Sequence, residues 1–391
     1  MIEGRTILCF ASGYDAPPTS KHHLMGLLAE KNTVLWVNYH GSRRPTVGRA
    51  DISAGMGKLL QIARGLQRRG PNLWVLTPPV VPLPSSRWAR CVNRRLLRRR
   101  IDRALRRVGE GKPVQVWTFA PDVAYLLDDL DAEKVVYYCV DDFSQFAGYD
   151  RQQVLADEAD LCRRADLVVT TSQALQAAKA PLNPNTILVS HGVDYEHFAR
   201  ALDDDLAIPP DVAEIPQPRL GFFGLIHDWV DIDLLAAVAA SRPQWRLVLI
   251  GDANTDTTPL QRLANVHLLG RRPYEQLPAY CRAFDVGLIP FVINDLTRSV
   301  NPIKLREYLA AGLPVVATPL PEVAHDQPYV TVADGPDGFV AAIESALAQP
   351  SHLRTARSRS MAGETWGRKL WTVCDALAHP PAAVAAAQAP A

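Results

Sequence analysis

The chain has 391 residues, 48% hydrophobic and 21% charged, with a formal charge of +1. That length suits two domains rather than one core, and that composition is that of a soluble globular protein. Its six cysteines lack CxxC spacing and no apolar run reaches about 18 residues, which argues against a zinc site, a disulfide framework and a membrane span.

The predicted elements alternate from the start. Thr6–Ala11 reads as a strand, Lys21–Ala29 as a helix and Thr33–Asn38 as a strand. Ile7–Ala11 is too short for a signal-peptide h-region, so a cytoplasmic protein is expected. A helix over Ile52–Gln67, a strand at Leu73–Thr77 and a long helix at Arg87–Val108 follow. Val114–Phe119 and Val135–Val140 are strands, Arg151–Arg164 is a helix, and Leu167–Thr170 is a strand. Ser172–Ala178 is helical and Thr186–Val189 is a strand. Residues 201–218, rich in Asp and Pro and without periodicity, read as a linker. The alternation then restarts with strands at Leu220–Phe223, Arg246–Ile250, Val266–Leu269, Val286–Ile289 and Tyr329–Val332. Its helices fall at Asp231–Ala240, Tyr274–Ala283, Ile303–Ala311 and Pro336–Leu347, with a final one over Arg354–Leu377 and a disordered tail from His379. Such alternation predicts an α/β protein with two doubly wound parallel sheets. The predicted domains are 1–203 and 204–355, with a C-terminal helix over 356–378 packing back on the first domain and a tail over 379–391. Ligands bind such folds outside the carboxyl ends of the strands.

The balanced net charge hides an asymmetry. Residues 40–110 carry 17 basic and 3 acidic side chains. Arginines stand at 87, 90, 94, 95, 98, 99, 100, 103, 106 and 107, interleaved with Trp88, Leu97, Ile101 and Leu105. Helical spacing gives an apolar stripe beneath a basic face. That face suits anionic lipid headgroups, each basic residue adding about 1 kcal/mol near the surface. The alternatives are a solvated face and nucleic acid, the last not expected.

The most informative stretch is Asn301-Pro-Ile-Lys-Leu-Arg-Glu-Tyr-Leu-Ala-Ala-Gly-Leu-Pro-Val-Val-Ala-Thr318. Pro opens the helix, Gly312 stops it, and a short buried strand follows. Lys304 and Glu307 share one face. A helix start beside a lysine attracts phosphate, and a carboxylate one turn deeper can accept two hydrogen bonds from a ribose diol. The same spacing also fits an ordinary surface ion pair.

Three more segments precede it in order: Ala165–Leu175 with Val189–Phe198, Gly221–Asp231, and Asn265–Gly270 running on to Asp285–Phe291. The ordered set resembles GT-B glycosyltransferases, and within them the glycosyltransferase 4-like group of exopolysaccharide and cell-wall polymer synthesis. The resemblance spans about residues 5–375 and implies a nucleotide-sugar donor held by the second domain. It places Gly224 beneath the diphosphate, Lys304 and Asn301 on it, Glu307 on the ribose, and Gly270 and Arg271 near the base. Two departures stand out. Many relatives carry Glu-x7-Glu, but Ser299 occupies the first carboxylate position. Many carry Arg and Lys after the first glycine, but this loop reads Leu225-Ile-His-Asp-Trp-Val-Asp231. Lys304, Arg298 and the helix dipole are left to hold the diphosphate.

Lys134-Val-Val-Tyr-Tyr-Cys-Val-Asp-Asp-Phe-Ser144 is similar to the base-bearing strand of the membrane-associated glucuronosyltransferase of xanthan assembly. The likeness makes Asp141 the base for an inverting transfer. Asp141 and Asp142 also suit capping of the loop that follows. His22 and His23, opening the first helix, and Asp142 are candidate contacts on the acceptor side. His191 fits a hinge or a packed loop. The implied acceptor is lipid-linked or a growing glycan, the site inner-leaflet and peripheral, with no metal and no cofactor, since no Asp-x-Asp motif ends an apolar strand. The rival readings are a nucleotide-sugar epimerase on the same fold and a non-catalytic nucleotide-sugar binder.

Overall fold

The structure is a computed structural model that describes residues 1–39, 60–81, 83, 86–324 and 328–380. The chain forms two compact units: Met1–Ser190 with the chain from Leu370 onward, and His191–Lys369.

In the first unit one sheet holds eight strands: β1 (Thr6–Ala11), β2 (Thr33–Asn38), β3 (Leu66–Arg68), β4 (Leu73–Leu76), β5 (Val114–Thr118), β6 (Ala132–Cys139), β7 (Leu167–Thr170) and β8 (Thr186–Leu188). Their order is β3-β4-β2-β1-β5-β6-β7-β8, parallel throughout except β3 against β4. β1 and β2 are buried along their whole length, as the unbroken apolar runs of a sheet covered on both faces require. Beneath β6 lies a buried ionic knot. Lys179 Nζ (2.6 Å) and the Tyr137 hydroxyl (2.6 Å) both donate to the Glu158 carboxylate, which is 1% exposed. This pair links the helices Arg151–Arg164 and Gln173–Lys179, and the Tyr137 hydroxyl ties it to the sheet.

The second unit has six parallel strands: β9 (Arg219–Phe223), β10 (Arg246–Ile250), β11 (Val266–Gly270), β12 (Val286–Ile289), β13 (Val315–Ala317) and β14 (Val330–Val332), ordered β11-β10-β9-β12-β13-β14. In each unit the first strand lies inside its sheet and the chain builds outward to either side. The switch points are therefore β1/β5 and β9/β12, and the crevice outside their carboxyl ends is the natural ligand position.

Several expectations need correction. Gln67 is in the antiparallel edge strand β3, not a helix; residues 60–64 are helical, and 52–59 lie outside the described residues. The segment 201–218 is no free linker. It carries a short helix, Pro210–Ala213, buries Val212 and Ile215 in the second unit's core, and places Asp211 2.7 Å from Arg272. The final helix is two, Leu353–Ser360 and Trp366–Ala378. Between them Val193 N–H donates to Glu364 O (2.9 Å), and the Thr365 hydroxyl accepts from Arg368 N–H (3.3 Å), capping the second helix. The predicted tail lies outside the described residues from 381.

The arginine-rich helix Arg87–Val108 forms as expected. It buries Ala89, Asn93, Leu97, Ile101, Ala104 and Val108, a stripe at spacings of three and four. Arg90 pairs with Asp157, Arg94 with Asp129, and Arg98 lies 3.3 Å from Asp129. No carboxylate among the described residues pairs with Arg95, Arg99, Arg100, Arg103, Arg106 or Arg107, all exposed. At about 100° per residue, Arg95, Arg99, Arg103 and Arg106 fall within about 60° of Trp88, whose side chain is 66% exposed.

Candidate functional site

The helix Ile303–Ala310 follows β12 at the second unit's switch point. Its N-cap is Pro302, which has no N–H and supplies no side-chain cap. Leu305 N–H donates to Pro302 O (3.1 Å), so the N–H groups of Ile303 and Lys304 are left for a ligand or water, at the positive end of the helix dipole.

Lys304 rises from this turn. Its Nζ lies 5.6 Å from the centre of the Phe222 ring, within β9, and 6.0 Å from that of Phe291, just after β12. Gly224 leaves β9 with φ +132°, and a Cβ there would sit 2.2 Å from Lys304 Cε. Gly251, after β10, has φ +149°, and its Cβ would meet Gly224 O at 1.9 Å. Both positions require glycine: the backbone is in a region side chains avoid, and the space is occupied. Burial holds the Lys304 ammonium below its ordinary pKa, with Glu307 acting the other way.

Glu307 is 6% exposed. Burial pushes its carboxyl up to about 7, opposed by Lys304 and reinforced by Asp194. Beside it stand Asp194 and Tyr274, whose phenol is raised by burial and then by Glu307. Tyr274 stacks on His197 with ring centres 4.5 Å apart and planes 12° apart. Among the described residues no hydrogen bond or ion pair reaches the Glu307 carboxylate or the Lys304 ammonium. The surface ion-pair reading therefore fails for this pair. The carboxylate is thus left to accept hydrogen bonds from a ligand bringing hydroxyls.

The other predicted donor residues behave differently. Asn301 is buried, and its amide is engaged inside the unit: Oδ1 accepts from Arg306 Nη1 (2.7 Å) and Nδ2 donates to Glu322 (3.2 Å). Asn301 thus holds the helix start in place, with its side chain turned to neighbours. Gly270 ends β11 and accepts from Gly251 N–H (3.0 Å), which ties its strand end to the Gly224 turn. Arg271 is exposed. Arg298 is 62% exposed and 4.0 Å from Asp295, and Ser299 is half-buried.

In the first unit, Asp141 follows β6 and is half-buried. Burial raises its carboxyl to about 6, with Lys21 pulling it down and Asp142 pushing it up. Lys21 stands on the helix Ser20–Ala29 after β1, its Nζ on the Ser12 hydroxyl, and burial lowers its pKa. Lys21 is the residue the sequence reading passed over; its partnership with Asp141 joins the ends of β1 and β6, which only the sheet order brings close. Asp142 is a loop cap: it accepts from Ser144 N–H (3.1 Å), Ser144 Oγ (2.7 Å) and Gln145 Nε2 (3.3 Å). His22 is also committed within the fold. Nδ1 accepts from Thr19 N–H (3.1 Å), Nε2–H donates to Tyr14 O (3.0 Å), and the ring packs 4.9 Å from Trp36. Burial drops its pKa to about 4. With both nitrogens used, His22 has none left for an acceptor; His23 is half-buried beside it. His191 is the packed alternative: 8% exposed, against Trp366, its pKa about 3 through burial and the nearby Arg306 and Lys369.

Residues 217–349 match the family described as Glycosyl transferases group 1. TuaH of Bacillus subtilis (strain 168), assigned to teichuronic acid biosynthesis as a glycosyltransferase, is 29% identical over 263 residues. That match covers 61% of this chain and 65% of the TuaH length. Among solved structures, the sucrose-phosphate synthase of Thermosynechococcus elongatus superposes with a TM-score of 0.67 at 16% identity, covering 98% of this chain and all of that one. Anabaena HepE, solved with UDP and glucose, gives 0.65 at 14% identity, covering 96% and 100%. The solved structures show the class of fold, GT-B, and the stretch that matches the group 1 glycosyltransferase model lies within the second unit.

Proposed function

We propose that the chain transfers a sugar from a nucleotide-diphosphate donor to a hydroxyl of a lipid-linked or growing glycan acceptor in cell-surface polymer synthesis. The observation that carries this reading is Glu307: a largely buried residue whose carboxylate makes no ion pair with Lys304, one turn above it at a helix start without a side-chain cap. Ribose hydroxyls satisfy the carboxylate; the diphosphate meets the ammonium and the first-turn N–H groups. Lys304 and the dipole take up the charge that grows on the leaving diphosphate, and no divalent ion is needed in this scheme. Asp141, raised towards neutrality, takes the acceptor proton. The likeness to TuaH supports a polymer of the cell wall, and the HepE complex supports a UDP-type donor. The test is transfer from a panel of UDP-, GDP- and dTDP-sugars to polyprenyl-diphosphate and oligosaccharide acceptors. Product formed only with acceptor supports the reading; isomerisation of the free nucleotide sugar without acceptor would instead indicate an epimerase.

A second reading concerns place. No described helix is long and apolar enough to cross a membrane. The exposed stripe of Trp88, Arg95, Arg99, Arg103 and Arg106 supports docking on an anionic bilayer, with the indole at headgroup level and the guanidiniums on phosphates. Replacing the four arginines by Glu is expected to weaken co-sedimentation with phosphatidylglycerol vesicles at least tenfold, at about 1 kcal/mol per residue, while neutral vesicles stay unbound. Equal binding by the variant, or a preference for oligonucleotides over vesicles, would contradict it.

A further inference from the structure

The start of the helix Ile303–Ala310 has no side-chain cap, so its direction depends on what holds the residues before it. Arg306 holds them from behind. It stands two residues from Lys304, about 200° around the helix, so the two side chains leave on opposite sides. Arg306 is 9% exposed, and its Nη1 reaches back to Asn301 Oδ1 at 2.7 Å. Its Nε lies 3.8 Å from the Glu364 carboxylate, which also accepts from Lys369 Nζ at 2.6 Å. Burial works against the Arg306 charge, and Glu364 is first among the groups that sustain it. Burial likewise pushes the Glu364 carboxyl up, but Lys369 and then Arg306 hold it below its ordinary value. Glu364 has a second attachment through its backbone. Its O accepts from Val193 N–H (2.9 Å), and Val193 bridges Thr365. The next residue, Asp194, is the carboxylate beside Glu307. Glu364 therefore ties the back of the helix start to the segment that flanks Glu307. It lies outside the stretch 217–349 that matches the glycosyltransferase model.

We propose that Glu364 is a positioning residue for the sugar donor: through Arg306 it holds Asn301, and so keeps Lys304 and the N–H groups of Ile303 and Lys304 aimed at the diphosphate. Glu364 itself touches no substrate atom. Without its carboxylate a buried guanidinium is left short of its partner, and it turns from Asn301 towards water. The sign of the effect separates positioning from plain charge. Removing a carboxylate near an anionic ligand strengthens binding by electrostatics alone, whereas losing the hold on Asn301 weakens it. This proposal rests on the nucleotide-sugar reading of Lys304 and Glu307.

The experiment is calorimetric titration of the full chain with UDP, GDP and dTDP, with the melting temperature of each variant recorded beside it. Glu364→Gln is expected to bind the nucleotide that wild type takes about tenfold more weakly, the scale of one hydrogen bond to a charged group. Arg306→Lys keeps a cation opposite Glu364 but lacks the forked N–H groups that also reach Asn301, and it should lose as much. Adding Glu364→Gln to Asn301→Ala should cost less than about twofold, because the path through Asn301 is already cut. Affinity in Glu364→Gln equal to or above that of wild type would overturn the proposal and leave the nucleotide reading intact. Full additivity with Asn301→Ala would do the same. If Glu364→Gln does not fold, Arg306→Lys decides in its place, and wild-type affinity there overturns the proposal. A wild-type chain that binds none of the nucleotides would overturn both.

Discussion

Asp141→Asn is expected to abolish transfer while donor binding stays at the wild-type level. The amide keeps the size of the carboxyl and its place after β6, but it takes no proton. General-base catalysis contributes about 10²- to 10⁴-fold, so kcat should fall by that range. The neighbourhood adds a second signature. Burial raises the Asp141 carboxyl to about 6, and Lys21 limits the rise. A base acts only when ionised, so transfer should increase as pH rises through about 6 and level off above it. Lys21→Met removes the nearby positive charge, and the same rise should then move to higher pH. Single-turnover rates between pH 5 and pH 8 check both points. A normal rate in Asp141→Asn, or a pH profile indifferent to Lys21, would take the base role from Asp141.

Glu307→Ala is expected to weaken nucleotide-sugar binding by at least tenfold, since two hydrogen bonds to a charged group are lost, each worth about 1.5–3 kcal/mol. The pH dependence has a definite sign. In the free protein the Glu307 carboxyl is raised to about 7, so below that pH it is largely protonated. Hydroxyl donors need the carboxylate, so affinity should rise with pH through about 7, and binding below that pH should take place with proton release. A nucleotide sugar is the right probe, because its diphosphate diester stays ionised across this range. Glu307→Gln should bind weakly and show no such rise. Affinity independent of pH in the wild type, with Glu307→Ala unchanged, would mean that the ribose lies elsewhere.

Much of the fold was legible because its strands are short unbroken apolar runs and its helices carry clear stops. β1, β2, β7, β10 and β12 fall where the pattern places them. What escaped depends on tertiary partners. β3 has no apolar run and exists only as an antiparallel edge on β4. The Asp- and Pro-rich stretch looked like a linker because nothing in its composition shows that Arg272 and Arg282 bind it down. The last helix breaks because Glu364 O bonds Val193, a residue far away in sequence. The site divides in the same way. Lys304 and Glu307 were readable from spacing, since three residues on a helix share a face. That they do not pair, and that Phe222, Phe291 and Gly224 seat the lysine, is a consequence of sheet order. Asn301, Asp142 and His22 have the right chemistry for contacts with substrate, and local hydrogen bonds that the sequence does not show also engage them.

The central claim is that a nucleotide diphosphate sits on the start of the helix Ile303–Ala310. Its most direct test is calorimetric titration of wild type and Lys304→Ala with UDP-, GDP- and dTDP-sugars at low and moderate salt. One of the donors should bind the wild type, and Lys304→Ala should bind that donor at least tenfold more weakly, as loss of a charge-assisted contact on the order of 1.5–3 kcal/mol requires. Equal affinity in the two proteins, or no binding of any nucleotide sugar to the wild type, would contradict it.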